Sequence, residues 1–181
     1  MISKIAFVFL FVTSSFLFAQ KDDTKTVDLK HAVYAELAGT AGIWSVNYDL
    51  TAFNFGNFKV GARLGIGILS EGYEGSTPDI HIPLTANFMY TFADKHHIEL
   101  GVGTQIMSYD IRRIISPTEI GFTRKNEALG TYTVGYRFQS PDGGFVFRVF
   151  YGPFFYQDDI YFRYEHWGGI SIGYAFKSGG K

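Results

Sequence analysis

Eight segments of the chain alternate between apolar residues and small or polar ones with a period of two, and this alternation constrains the fold more than any other feature. The segments are 31–39, 42–52, 58–69, 80–93, 98–109, 128–139, 144–156 and 166–176. A period of two belongs to an extended strand, whose successive side chains point to opposite faces of a sheet. The segments are long for soluble strands of about 5–6 residues and suit tilted transmembrane strands of about 9–11 residues plus their ends. The chain is therefore predicted to be all-β.

The distribution of charge indicates which face of these strands meets which solvent. The segments hold few charged residues, which are Glu36, Asp49, Lys59, Arg63, Glu99, Arg137 and Arg148. Alternation alone also fits a soluble lipocalin-like barrel or a sandwich with an apolar interior, but a water-facing strand surface would carry many more charges. The apolar face is therefore predicted to meet lipid. Inside a bilayer every backbone group must be bonded within the structure, so the predicted fold is an eight-stranded antiparallel up-and-down transmembrane β-barrel.

The connections between the segments alternate in length, as they do in such barrels. Short gaps at 53–57, 94–97 and 140–143 contain turn residues, and they are predicted to be periplasmic turns. The gaps at 70–79, 110–127 and 157–165 are longer and are predicted to be extracellular. The exception is the short connection Thr40-Ala41, where a long loop would be expected.

The N-terminus is a separate unit. Residues 1–19 combine Lys4, an apolar run and a final Ala19, which is typical of a secretory signal peptide. The alternative, a transmembrane anchor, needs about 20 apolar residues, and Ser and Thr interrupt this run. We expect a flexible periplasmic N-terminus at 20–30, an outer-membrane barrel at 31–176 and a short C-terminal tail at 177–181. The predicted location is the outer membrane, after export directed by the signal peptide.

Composition excludes several classes of function. The formal net charge of −1 gives no surface for a nucleic acid partner. The chain has no cysteine, which excludes disulfides, thiolate metal sites and a cysteine nucleophile. His96 and His97 are adjacent on an extended segment, so their side chains point to opposite faces and do not converge with Glu99 on a metal. We expect no metal, no cofactor and no catalytic residues.

The pattern over about 31–176 resembles the small eight-stranded outer-membrane β-barrel proteins, the class that includes the OmpA membrane domain and OmpX. The ending Ser171-Ile-Gly173-Tyr174-Ala-Phe176 looks like the C-terminal assembly signal of that class, formed here by Ser171, Gly173, Tyr174 and Phe176. The resemblance implies the barrel-assembly machinery as a partner. Phe18-Ala19-Gln20 and Tyr34-Ala-Glu-Leu37 are similar to segments of Bacteroidota outer-membrane proteins of unassigned function.

The inward-facing charges define the first candidate site. Glu36, Asp49, Arg63, Glu99, Arg137 and Arg148 are predicted to point into the barrel. An eight-stranded barrel has an interior just wide enough for side chains to fill, and buried charges must pair. These side chains are therefore predicted to form a salt-bridge network that plugs the lumen. The alternative is a narrow gated path for ions or small solutes.

The segment 110–127 is the second candidate site. Its cations Arg112, Arg113, Arg124 and Lys125 are predicted to contact lipopolysaccharide phosphates, so outer-membrane lipid and lipopolysaccharide are expected partners. Its apolar residues favour a hairpin that offers an edge to another partner, and the alternative is a solvated tip.

An enzymatic role is the third possibility. PagL-type lipid A deacylases carry His-x-Ser, and no histidine here is followed two residues later by serine. A dispersed PagP-type set stays open. The predicted function is a non-enzymatic outer-membrane barrel with a structural or surface-interaction role; the alternatives are a narrow pore and a lipid-acting outer-membrane enzyme.

Overall fold

The computed structural model describes residues 30–69, 76–116, 119–157 and 162–177. The strands are β1 (Lys30–Gly39), β2 (Gly42–Phe55), β3 (Phe58–Leu69), β4 (Asp79–Ala93), β5 (His96–Ser116), β6 (Glu119–Gln139), β7 (Gly144–Tyr151), β8 (Phe154–Gln157), β9 (Phe162–Glu165) and β10 (Gly168–Lys177). The predicted signal peptide lies outside the described residues. Within those residues there is no helix long and apolar enough to cross a membrane.

The sheet closes into a barrel through the first and last strands. From β1 to β7, each strand pairs with the next in antiparallel fashion. β7 also pairs with β10, and β10 pairs with β1, which closes the ring. Glu36 of β1 therefore lies between Ser45 of β2 on one side and Ser171 of β10 on the other. This ring of eight antiparallel strands confirms the predicted fold class.

The two faces of the wall differ as the alternation predicts. In β3, the side chain of Leu64 is 53% exposed on the outside, whereas that of its neighbour Arg63 is 1% exposed on the inside. The exposed exterior is rich in aliphatic residues, among them Ile66, Ile68, Leu84, Leu100, Val102, Ile106 and Ile172. The largest fully buried side chains include Arg63, Arg137, Arg148 and Tyr34. An apolar exterior around a polar interior is the arrangement of a transmembrane barrel, so the soluble alternative is wrong.

Glycines on the inner face make room for large side chains in this narrow interior. A Cβ at Gly173 would lie 2.1 Å from the Val33 carbonyl oxygen and 2.3 Å from Cβ of Tyr34. Tyr34 therefore fits inside the barrel only because its neighbour on β10 has no side chain. The tyrosine ring in turn lies beneath two cations, with the guanidinium carbon of Arg148 5.0 Å and that of Arg63 5.4 Å from its centroid.

At the extracellular end of the barrel, the bounds of the strands differ from those predicted. Most of 110–127, which lay outside the predicted strands, belongs to β5 and β6, which stay paired from Asp110↔Arg124 to Ile114↔Ile120 and beyond. They form the hairpin that the apolar residues of this segment favour. The predicted seventh strand divides into β7 and β8 at Gly152-Pro153, because proline has no backbone N–H for the ladder. The Gly152 N–H donates instead to the carbonyl of Trp167, over 3.0 Å. The predicted eighth strand, 166–176, corresponds to β10, and β9 lies within the connection 157–165 that was predicted to be extracellular.

A matched pair of substitutions tests which exposed apolar residues meet lipid. Leu64→Arg places a charge on the outside near the middle of β3 and should lower the free energy of unfolding by about 2–4 kcal/mol in lipid vesicles. Ile114→Arg, at an even more exposed position beyond the barrel wall, should change it by less than about 0.5 kcal/mol. Urea unfolding followed by tryptophan fluorescence measures both values. Equal losses in the two variants would contradict the lipid-facing assignment of Leu64.

Candidate functional site

The six charged residues predicted to point inward lie together in the barrel interior, and Glu99 is their centre. Its Oε1 accepts hydrogen bonds from Nη2 of Arg63 and Nη2 of Arg148, each over 2.6 Å. Its Oε2 accepts one from Nη1 of Arg137 over 3.0 Å. One carboxylate on β5 therefore connects guanidinium groups from β3, β6 and β7.

The other two carboxylates extend this cluster, which we call the lumen network: Glu36, Asp49, Arg63, Glu99, Arg137 and Arg148. Asp49 accepts from Nη2 of Arg63 at 3.2 Å and from Nη1 of Arg137 at 2.8 Å. Glu36 accepts from Nη1 of Arg148 at 3.0 Å. All six side chains are buried, and the three positive charges balance the three negative ones. Balance is required because an unpaired charge in this interior would cost several kcal/mol.

Strand register explains why these residues meet. Asp49 of β2 lies directly opposite Arg63 of β3, so this ion pair follows from the ladder itself. Arg137 of β6 lies directly opposite Arg148 of β7, and like charges in such positions repel. The side chain of Glu99 removes this repulsion, because its Oε2 accepts hydrogen bonds from both, at 3.0 Å and 3.3 Å.

Several neutral residues complete the network, and of these only Ser171 was marked by the sequence pattern, as part of the predicted assembly signal and not of the network. Asn87 Nδ2 donates to Asp49 over 3.2 Å, and Arg137 Nε donates to the Gln139 side chain over 2.7 Å. Ser171 Oγ donates to Glu36 over 3.0 Å. Each lies in the inward phase of its strand, so the alternation places it on the inner face. The partner it meets across the lumen is set by barrel closure and has no local sequence signal.

The five histidines occupy separate places. His96 and His97 point to opposite sides: His96 bonds to the Tyr136 hydroxyl, whereas His97 is buried and bonds to Thr91 and to the carbonyl of Gln139. The others have partners on different strands, which are Tyr48 for His31, Gln105 for His81 and Tyr151 for His166. In the part of the chain that the structure describes, no three His, Asp or Glu side chains converge as metal ligands.

The cations predicted to contact lipopolysaccharide fall into two groups. Arg124 is held within the protein: its guanidinium donates to Ser108, Asp110 and the carbonyl of Pro78, at 2.9, 3.3 and 2.9 Å. Lys125 forms an ion pair with Glu127. Arg112 and Arg113 lie nearer the tip of the β5–β6 hairpin, opposite Phe122 and Gly121, and their side chains are exposed.

Asp110 joins the hairpin to the neighbouring connection. Its Oδ2 accepts hydrogen bonds from the backbone N–H of Thr77 over 2.7 Å and from the Thr77 hydroxyl over 2.9 Å. These bonds and the nearby Arg124 hold the pKa of Asp110 below its ordinary value, because they stabilise the carboxylate form. The base of the hairpin is therefore tied to residues 77 and 78.

The residues predicted as a C-terminal assembly signal lie on both faces of β10. Ser171 is buried inside the barrel, and Gly173 also faces inward beside Tyr34. Tyr174 and Phe176 are exposed on the outside. Phe176 stacks on His31 of β1 with ring centroids 5.3 Å apart, so the end of the last strand contacts the start of the first.

Comparison with known proteins identifies the fold. No family model matches the chain, and no curated protein matches it. Among solved structures, the N-terminal β-barrel domain of Pseudomonas aeruginosa OprF matches with a TM-score of 0.55 and 12% identity, covering 83% of this chain and 98% of that one. The Yersinia pestis outer membrane protein Ail, in a phospholipid bilayer nanodisc, matches with a TM-score of 0.52 and 12% identity, covering 83% and 99%. A crystal structure of Ail matches at 0.50 and 13% identity, covering 82% and 95%.

These matches and the barrel's own surface define the class of protein. The fold is that of the small eight-stranded outer-membrane β-barrels. The apolar exterior of this chain requires a bilayer around it, and the chain is therefore an outer-membrane β-barrel protein. The predicted resemblance and the predicted outer-membrane location are confirmed, and export by a signal peptide stays a prediction.

The central position of Glu99 leads to a quantitative prediction. Glu99→Gln removes the charge that connects three arginines and should lower the free energy of unfolding by about 3–5 kcal/mol. Asp142→Asn is the matched control, because Asp142 is highly exposed and 3.9 Å from Lys177, and it should change stability by less than about 0.5 kcal/mol. Urea unfolding in vesicles, combined with the mobility of unboiled samples on gels, measures both. A loss below about 1 kcal/mol for Glu99→Gln would show that the network contributes no more than a surface pair.

Proposed function

We propose that this protein is a non-enzymatic outer-membrane barrel with a surface-interaction role, and that the β5–β6 hairpin is its interaction surface. The observation that carries the proposal is the exposure of aliphatic side chains beyond the barrel wall. Ile114 is 80% exposed and Ile115 is 63% exposed, and Ile120 lies opposite Ile114 on β6. Outside the bilayer such a patch typically marks an interaction site.

The hairpin is suited to binding in two further respects. Arg124 and Asp110 fix its base to residues 77 and 78, so the tip is presented on a supported stem. The β4 ladder ends at Ile80↔Ser108, and among the described residues β6 alone pairs with β5 beyond that point, so the other edge of β5 is open there. An open edge of this kind can accept an extended polypeptide as an additional strand.

The exposed cations of the hairpin suit a second, simultaneous contact. Arg112 and Arg113 lie above the outer leaflet, where guanidinium groups bind phosphate in a bidentate manner. We propose lipopolysaccharide phosphate as the group they meet. Arg124 lies nearer the base of the hairpin, where it pairs with Asp110, and Lys125 pairs with Glu127.

The lumen network is proposed to plug the barrel. Three arginines and three carboxylates fill its middle, and the interior of an eight-stranded barrel leaves little further space. The polar character of the lumen also favours the second candidate, a narrow ion path. An enzymatic role is not favoured, since the histidine rings bond to Tyr, Gln or Thr side chains and not to serine.

Assembly completes the proposed function. A signal peptide at 1–19 would direct export, and the barrel-assembly machinery would recognise Ser171, Gly173, Tyr174 and Phe176 on the last strand. The outward position of Tyr174 and Phe176 supports this proposal, since both rings are accessible from the side of the barrel.

Planar-bilayer recordings test the plug. The wild-type barrel should give no single-channel steps, because charged side chains that pair across the lumen leave no continuous water path. A double variant, Glu36→Ala and Arg148→Ala, removes one opposed pair from the interior and should give small steps if the barrel still folds. Regular steps from the wild-type protein would favour the pore instead.

Photocrosslinking on intact cells tests the hairpin. A photoreactive residue at Ile114 should give protein adducts, whereas one at Ile98, exposed on the other end of the same strand, should give only lipid adducts. Ile115→Asn together with Ile120→Asn should lower the adduct yield at position 114, because the apolar patch is then lost. No protein adduct at 114, or an unchanged yield in the double variant, would contradict the proposed role.

A further inference from the structure

An open groove lies on the outside of the barrel at its extracellular end. It has a volume of about 360 Å³ and is lined by Ala38, Tyr151, His166, Trp167 and Gly168. The next residues toward the middle of the wall on β1 and β10, Leu37 and Ile170, are exposed aliphatic side chains of the lipid-facing surface. The groove is therefore continuous with the surface that meets the bilayer.

Local backbone structure forms the groove. Ala38 has a φ of 50° and is the one non-glycine residue with positive φ among those the structure describes. It interrupts the ladder between β1 and β2, which resumes at Gly39↔Gly42. Such a conformation costs of order 1–3 kcal/mol and clusters at functional sites. Trp167 forms another wall, because its Nε1 donates to the carbonyl of Gly39 over 3.0 Å.

The rim of the groove carries a ladder of hydroxyl groups that ends on an imidazole. The hydroxyls of Tyr132 and Tyr164 are 2.6 Å apart, and those of Tyr164 and Tyr151 are 2.9 Å apart. The Tyr151 hydroxyl is 2.6 Å from Nδ1 of His166. The ladder uses Nδ1 of His166, so the Nε2 atom of this ring can bond to a group outside the ladder. The groove is therefore apolar along its walls and dipolar at its rim.

We infer that this groove binds one lipid of the outer leaflet, with an acyl chain along Trp167 and Ala38 and its ester linkage at His166. The volume lies near the lower end of the range of about 300–1,000 Å³ for ligand sites, which suits one chain better than a whole lipid. The rim offers hydroxyls and an imidazole, which match an ester oxygen. The inference depends on the membrane location alone and is independent of the role proposed for the hairpin.

Native mass spectrometry of the full chain, folded in vesicles and extracted into detergent, tests the site with a matched pair of variants. Ala38→Leu fills the groove, whereas Ala35→Leu adds the same side chain to the exposed face of the same strand, away from it. The wild type and Ala35→Leu should each retain one phospholipid. Ala38→Leu should reduce that retention at least about fivefold, equivalent to roughly 1 kcal/mol of binding. No retained lipid in the wild type, or equal retention in both folded variants, would overturn the inference.

The two tryptophans of the chain allow a second measurement on folded protein. Trp44→Phe leaves Trp167 in the groove as the reporter, and adding Ala38→Leu to this variant fills the groove while keeping the same reporter. After folding in vesicles of brominated phosphatidylcholine and dilution into unbrominated detergent, Trp167 should stay quenched in Trp44→Phe and should recover in the variant that also carries Ala38→Leu. Brominated phosphatidylglycerol should give the same result. Recovery of Trp167 fluorescence in both variants would exclude a retained chain, and retention of the anionic lipid alone would assign the site to a negatively charged headgroup and overturn the ester assignment.

Discussion

The structure depends on one requirement, that every backbone polar group of a membrane-spanning wall is bonded within the wall itself. Pairing of β1 with β10 meets it, since it leaves the eight-stranded ring without an open edge. Once the ring is closed, the two phases of each strand have different surroundings. The outer phase meets lipid and is aliphatic, and the inner phase meets other side chains in a narrow space and is small, polar or charged.

Because the charged side chains face inward, the charges that must be neutralised lie at the centre of the barrel. Arg137 and Arg148 are neighbours across a strand pair and would repel each other in an apolar surrounding. The carboxylate of Glu99 comes from β5 and lies between them, so the network is stable only as a whole. The same narrow space requires Gly173 next to Tyr34. Charge balance and side-chain volume are therefore coupled in the lumen.

The strand number, the faces and the inward charges could be predicted because period two is enforced wherever lipid lies on one side. The length of the two hairpin strands was underestimated, because lipid no longer enforces a period of two above the bilayer. Arg112-Arg113 and Ile114-Ile115 break the alternation, although both pairs lie within β5. The pairing of Glu99 with Arg148 could not be predicted, since it joins residues far apart in sequence through the curvature of the closed barrel. The tyrosine ladder similarly combines residues from β6, β7 and β9, and no single segment contains its pattern.

Glu36 has a consequence for the order in which the chain can reach its final state. Its carboxylate binds the backbone N–H of Thr40 in the first turn, Arg148 on β7 and Ser171 on β10. Before the final strand docks, β1 and β7 are the free margins of an incomplete sheet, so Glu36 lies apart from Arg148, with which it pairs in the closed barrel. The carboxylate of Glu36 resists entry into hydrocarbon until the last strand brings the two side chains together. The interior charges therefore make an incompletely assembled barrel unfavourable in the membrane and a closed barrel stable.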